Sequence, residues 1–305
     1  MVLAFSIFAC IFCFGASPKN LPDIALVAST PGDEQIKFLL NIPPDTKVDF
    51  IRWNLTLSDE DTKKRAFALS IQYGESQPNT LGFVNGGQKK SINGLYAISQ
   101  SHGIVNGEVY HLKSADLRTE MLIVKLTDNI FHILNSQKQL MIGNGGWSYT
   151  LNRKAPVTQI STSLPALTIF SVLPPDTATQ IVFEGRTPCR EISSEKQLAF
   201  GPDCFKLKWL LILNKQPKTL EPSTYILRRT GSRDKDITGK WIIKKGITSN
   251  PQVVIYQLDP DKPAQSISLL LGSENIAFFL HDDNEFYIGN EDFSYTLNRE
   301  ERKMR

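Results

Sequence analysis

The chain has 305 residues, of which 41% are apolar and 21% charged, the proportions of an ordinary globular protein and a length suited to two domains of roughly 150 residues. Its 34 basic and 31 acidic residues leave a formal charge of +3. Both signs are interspersed, which argues against an electrostatic binder of nucleic acid.

Residues Val2 to Ala16 form an apolar run containing Phe5, Ile7, Phe8, Ile11, Phe12 and Phe14. Roughly 15 residues are too few to cross a bilayer but suit the apolar region of a secretory leader. Gly15-Ala16-Ser17 then offers a cleavage zone. The basic segment that normally opens a leader is missing, so the true start is expected upstream. Residues 1–17 are read as a signal peptide, with two alternatives: a lipoprotein signal acylated at Cys10, or a buried first strand of a cytosolic protein. An exported protein is expected, periplasmic or outer-membrane associated, touching membrane only through such an anchor. Cys10 and Cys13 fall in the leader and leave Cys189 and Cys204 as an even pair. In an oxidising compartment the simplest use of that pair is a disulfide.

Downstream the hydrophobic period is two. Ile51, Trp53, Leu55 and Leu57 alternate with Arg52, Asn54 and Thr56; Phe67 to Tyr73 and Leu207 to Leu213 repeat the pattern. Turn signals such as Asn85-Gly86-Gly87, Asn106-Gly107, Asp259-Pro260 and Asp282-Asp283-Asn284 separate the runs. No segment reads as a long amphipathic helix; a helical turn is conceivable at Ser58–Lys64 and at Ile192–Leu198.

The chain also repeats itself. Ser148-Tyr149-Thr150-Leu151-Asn152-Arg153 returns as Ser294-Tyr295-Thr296-Leu297-Asn298-Arg299, each copy preceded by Ile-Gly-Asn and by Trp147 or Phe293. Val109 to Leu112 matches Ile255 to Leu258, and Asn129-Ile130 matches Asn275-Ile276. Pro43-Pro44-Asp45-Thr46 also pairs with Pro174-Pro175-Asp176-Thr177, and Gln77-Pro78 with Gln216-Pro217. On that alignment the offset grows from 131 to 146, so extra residues are expected in the second unit, mostly before Leu207 and around both cysteines. The expected fold is all-β: two tandem small antiparallel β-barrels, lipocalin-like and related by internal duplication. Unit one spans 18–153, a linker 154–167 and unit two 168–305, with about six to eight strands in each.

Candidate sites are sparse. Besides a structural disulfide, Cys189 and Cys204 could serve a redox, metal or nucleophilic role. His102, His111, His132 and His281 lack ligand spacing, and His111 and His132 are expected to share a face. No metal or cofactor is expected, and no catalytic constellation. Gly143-Asn144-Gly145-Gly146 lacks the Lys-Ser/Thr ending of a phosphate loop and is expected to be a hairpin with positive φ angles. In the repeated motif, Tyr and Leu are expected to pack inward while Asn and Arg bond loop backbone. The functional alternative is a ligand or partner contact through Tyr149, Arg153, Tyr295 and Arg299.

Phe183-Glu184-Gly185-Arg186-Thr187-Pro188-Cys189, a loop to Cys204, a strand into Tyr225-Ile226-Leu227, then Gly239-Lys240-Trp241 and Val254 to Leu258 carry a family resemblance. They resemble the N-terminal domain of the copper-resistance lipoproteins of the NlpE type, over roughly residues 180 to 299. The whole chain is similar to two-unit exported proteins of the Bacteroidetes kind. This resemblance implies a lipocalin-like barrel in the periplasm or on a lipid anchor, tied to envelope stress or copper. The family's Cys-X-X-Cys is absent here, because Cys189-Arg190-Glu191-Ile192 has no second thiol. The expected function is a non-enzymatic, monomeric envelope protein that senses or binds an envelope protein or small ligand. The alternatives are a carrier holding an apolar molecule inside a barrel, or a hydrolytic enzyme.

Overall fold

The computed structural model describes residues 23–59, 65–101, 107–157, 177–196, 204–230, 236–247 and 250–300. The leader, Cys10, His102, most of the linker, Pro174-Pro175 and parts of both expected helical turns lie outside the described residues.

Two closed eight-stranded antiparallel barrels follow one another, each an uninterrupted meander. Barrel one runs β1 (Ile24–Pro31), β2 (Phe50–Asp59), β3 (Arg65–Gly74), β4 (Gln88–Ser101), β5 (Gly107–Lys113), β6 (Met121–Lys125), β7 (Ile130–Leu134) and β8 (Thr150–Arg153). It closes where Leu26 and Val27 of β1 pair with Arg153 and Asn152. Barrel two repeats the plan with β9 (Gln180–Thr187), β10 (Leu207–Lys215), β11 (Pro222–Thr230), β12 (Ile237–Ile247), β13 (Asn250–Leu258), β14 (Ile267–Ser273), β15 (Ile276–Leu280) and β16 (Thr296–Arg299). β16 closes on β9. Closure removes the sheet edges that so many half-apolar strands would otherwise expose. Inside barrel one sit Trp53, Phe67, Phe131, Tyr149 and Leu151; inside barrel two sit Phe183, Trp209, Trp241, Phe279 and Leu297. In each barrel a buried tryptophan Nε1 donates to a threonine Oγ1 at 2.8 Å, Trp53 to Thr30 and Trp209 to Thr187.

That shared hydrogen bond fixes the true register of the repeat. Trp53 and Trp209 stand 156 positions apart, whereas Tyr149 and Tyr295 stand 146 apart. The offset therefore shrinks along the chain, and the expected enlargement of unit two before Leu207 is not there. Pro43-Pro44 follows β1 while Pro174 precedes β9, and Gln77-Pro78 follows β3 while Gln216-Pro217 joins β10 to β11. These two sequence matches are not equivalent positions. The matches in β5/β13 and β7/β15 hold.

Each barrel carries a one-and-a-half-turn helix after its first strand, too short to show a sequence period. Helix α1 (Glu34–Leu39) is capped by Asp33, whose carboxylate accepts the Ile36 N–H at 3.0 Å. Helix α2 (Arg190–Glu195) begins at Cys189, whose side chain makes no capping bond. There the Cys189–Cys204 disulfide ties the helix to the strand that follows. Ile36 and Ile192 plug the two barrels from these helices.

A third apolar cluster joins the barrels. Val109, Leu122, Val124, Leu126, Ile130 and Leu134 from barrel one meet Val253, Ile255, Leu270, Ile276, Phe278 and Leu280 from barrel two. Strands β7 and β15 are consequently buried on both faces. The repeated motif lies at the centre of this seam. Tyr149, Leu151, Tyr295 and Leu297 point into their own barrels, while the alternate side chains meet across the join. Ser148 Oγ lies 2.6 Å from Ser294 Oγ, and Thr150 Oγ1 lies 2.9 Å from Thr296 Oγ1. Asn152 Oδ1 accepts the Gly289 N–H at 2.9 Å, and Asn298 Oδ1 accepts the Gly143 N–H at 2.7 Å. Such reciprocity, with i touching j and j touching i, is the mark of a two-fold interface. The expected inward Tyr and Leu are therefore found, and the Asn residues do bond loop backbone, but in the opposite barrel.

Candidate functional site

The seam opens on one side into a cleft of about 230 Å³, and the local structure of two loops shapes it. In the first, Asn144 Oδ1 accepts the N–H groups of Gly146 and Trp147 at 2.8 and 2.9 Å; in the second, Asn290 Oδ1 accepts those of Asp292 and Phe293 at 2.9 and 3.0 Å. These Asx turns replace the expected hairpin: none of Gly143, Gly145 and Gly146 has a positive φ. Gly143 answers a different demand. A Cβ there would sit 2.2 Å from the Trp147 carbonyl oxygen and 2.9 Å from Asn298 Nδ2.

Trp147 stacks on Phe50, with centroids 4.8 Å apart, and Phe50 stacks on Phe83 at 4.1 Å. The Arg186 guanidinium covers the Trp147 ring at 5.1 Å. Phe293, Ser29 and the Ser76–Leu81 segment complete the walls, and Lys206, Lys208 and Asp292 add charge to the lining. Arg52 donates to Asp292 Oδ1 at 2.5 Å and to the Leu81 carbonyl at 2.7 Å. Burial raises the Asp292 pKa while Arg52 opposes that rise. Burial lowers the Arg186 pKa. It lowers that of Lys206 too, with the positive charges of Arg186 and Lys208 adding to the effect.

Placed in the true register, the two units carry different charges at the cleft. Thr30 and Thr187 correspond, so Ser29 corresponds to Arg186, and both face the next strand at Arg52 and Lys208. Phe50 corresponds to Lys206, and Asp292 to Gly146. On one side of the pseudo-two-fold a cation meets a carboxylate; on the other, Lys208 and Arg186 meet a glycine loop.

The residues singled out in the sequence fall elsewhere. Tyr149 and Tyr295 lie in separate barrel interiors, Tyr149 donating to the helix-capping Asp33 carboxylate. Burial and that neighbouring charge raise the Tyr149 pKa. Arg153 reaches the Asp128 carbonyl at 3.3 Å, and Arg299 lines a second cleft of about 460 Å³ with Glu184, Asn275 and Glu300. The four do not form one site, because each tyrosine is buried inside its own barrel while Arg153 and Arg299 stand at the ends of their strands. Cys189 and Cys204 form the expected disulfide, at 2.07 Å.

His111 and His132 both lie on the outer face of barrel one, as expected. His111 bonds Ser99 and Glu120, at 2.8 and 3.1 Å. His132 is fully buried in the seam, edge-on to Phe278. His281 pairs with Glu195 and stacks on Tyr287 beneath α2. Burial alone would raise the Glu195 carboxyl, but His281, Tyr287 and Lys196 around it hold it down at about 2. Among the described residues no group of His, Cys, Asp and Glu is placed to hold a metal ion.

Comparison with models of known families, with characterised proteins and with solved structures returns no match.

Proposed function

We propose that this chain is a non-enzymatic, exported binding protein whose recognition site is the cleft between its two barrels. The observation that carries this reading is the aromatic wall of Phe50 and Trp147, backed by Phe83, opening beside side chains from both units. Pockets at the junction of two units, apolar with a few convergent polar groups, are the usual sites for small molecules. A binding role fits the polar groups present. The cleft-lining carboxylate, Asp292, is already held by Arg52, and the rest of the charge is cationic. The interiors favour the cleft over a carrier cavity, since bulky buried rings such as Trp53 and Tyr149 occupy barrel one and Trp241 and Phe279 barrel two. Placement in the cell envelope follows from the apolar leader and is supported by the disulfide. The resemblance to the copper-resistance lipoproteins adds an envelope-stress context, which rests on the Phe183–Cys189 segment and its flanking strands.

Native mass spectrometry of the full chain, purified from a periplasmic preparation without reducing agent, tests the proposal. A retained small molecule is expected, lost on denaturation and absent from a folded Trp147→Ala variant. A bare chain, or a ligand whose retention ignores Trp147, would refute the cleft as its site.

A further inference from the structure

We infer that the cleft takes a small organic anion: a carboxylate, sulfate or phosphate head carried on a single flat ring. The inference rests on the cleft being the binding site and adds the chemistry of what fills it.

Charge carries the first half. Arg186, Lys206 and Lys208 line one end of the cleft, and among the described residues none of them has a carboxylate partner; Asp292 is taken by Arg52. Arg186 is half-buried, and its Nε is buried without a hydrogen-bond partner. A buried donor left unmade is costly; Arg52 Nε is unpartnered too, but the Arg52 guanidinium is held by Asp292, whereas that of Arg186 has no such carboxylate and suits a two-oxygen anion. Repulsion among the three cations adds to that cost, and an anion between them would relieve it.

The duplication makes this imbalance specific to one side. The Arg52 side has the Asp292 carboxylate, while the corresponding Lys208 side has Gly146. A Cβ added at Gly146 would lie 3.7 Å from the Arg186 Cζ. Asn144 Oδ1 would be 3.0 Å from the same Cβ, so the place where the repeat would put a neutralising carboxylate adjoins the guanidinium and holds only glycine.

The walls and size carry the second half. Trp147 continues the Phe83–Phe50 stack towards the Arg186 guanidinium, and the Phe293 ring faces Lys206 at 6.0 Å. A flat ring beside these faces would sit with its acidic substituent at the cations. About 230 Å³ is below the roughly 300–1,000 Å³ of drug-sized pockets, so one ring and its head group fit better than an extended lipid.

The test uses the full oxidised chain and five probes: benzoate, phenyl sulfate, phenyl phosphate, neutral benzamide and inorganic phosphate. Binding is read by calorimetry and by tryptophan fluorescence, Trp147 being the tryptophan that lines the cleft. At least one ring-bearing anion should bind about tenfold or more tighter than benzamide and than inorganic phosphate, and its binding should weaken as salt is raised. Arg186→Gln should weaken it at least about tenfold. Gly146→Asp should do the same by supplying the missing carboxylate. The second loop shows that the turn accepts this residue, since Asp292 occupies the corresponding position with the same Asn290 bonds. Circular dichroism and melting curves confirm that both variants fold.

Benzamide binding as tightly as the anions, or anion binding untouched by both variants, would overturn the inference. So would inorganic phosphate matching phenyl phosphate, which would remove the ring. A neutral molecule found by native mass spectrometry, held in a Trp147-dependent manner, would overturn the anionic chemistry and leave the cleft as the site. No binding by any probe, together with a bare native mass, would sink both.

Discussion

His132 offers the sharpest test of the seam. Its ring is fully buried between the barrels, Nε2 lying 2.9 Å from the Met141 carbonyl and Nδ1 3.1 Å from Thr150 Oγ1. A carbonyl only accepts, so Nε2 carries the proton. Nδ1 then accepts from Thr150, whose oxygen is free to accept from Thr296, 2.9 Å away. Burial lowers the His132 pKa from 6.5 to about 4, partly offset by the Met141 bond. With the folded value below the unfolded one, the unfolded chain binds more protons between these limits. Stability is then complete above pH 6.5 and falls as the pH drops towards 4. At about 1.4 kcal/mol per pH unit, acidification from pH 7.5 to 4.5 should remove about 2–3 kcal/mol through this one ring. Urea unfolding at both pH values reads the total, to which every carboxylate also contributes. The difference between wild type and His132→Gln, which stays neutral throughout, isolates the histidine. Equal losses in the two proteins would refute the seam as a dry, charge-excluding join.

Three further outcomes follow from the geometry. Asn152→Ala and Asn298→Ala each leave a seam N–H unpaired, at Gly289 or Gly143, and should cost about 1–3 kcal/mol apiece in urea melts; a loss confined to one of them would break the two-fold symmetry. Reducing the Cys189–Cys204 bond, which closes a loop of 15 residues, should cost about 3 kcal/mol by the chain-entropy model; hydrogen exchange should localise the effect to α2, and exchange spread evenly over both barrels would contradict this. His281→Ala should raise the Glu195 carboxyl from about 2 towards its ordinary value of 4.5; an unmoved carboxyl resonance in an NMR titration would assign the depression to Tyr287 and Lys196 instead.

The barrels were legible because alternation in strands such as Ile51–Leu57 writes one buried face directly into the sequence. The seam was also written there, as unbroken apolar runs at Met121–Val124 and Ile276–Leu280. Strands buried on both faces read this way. Helix α1 escaped because six residues cannot display a 3.6-residue period, although Asp33 just before the Glu34–Leu39 run is an N-cap signal. The cleft was hidden for a different reason. Its charged residues come from positions as distant as Arg186, Lys208 and Asp292, the last held by Arg52, and closing both barrels brings them together. The proline matches, with their offset of 131, put the second unit out of register here, whereas the helix starts show that Asp33 occupies the place of Cys189. In that wrong register Arg186 does not meet Ser29, although Gly146 and Asp292 already align beside the closing motif.

The two-fold join explains which positions stayed alike and which did not. At the axis a residue meets its own counterpart, so its side chain must be complementary to itself. Serine and threonine hydroxyls satisfy this, since each both donates and accepts, and Ser148–Ser294 and Thr150–Thr296 are unchanged between the units. A charge fails the same requirement. In a symmetric pair of barrels, an arginine at the position of Ser29 and Arg186 would appear twice on one cleft with nothing to separate the copies. Once both barrels share a chain that restriction is lifted. One unit can keep serine, phenylalanine and glycine where the other carries Arg186, Lys206 and Asp292. The cations then gather on one wall, and the lone carboxylate is locked to Arg52 on the other. Covalent duplication is thus what permits an asymmetric, charged cleft on a symmetric seam. Reversing the asymmetry with Gly146→Asp should leave the seam intact while neutralising the cleft, which separates the part of the molecule that holds the barrels together from the part that binds.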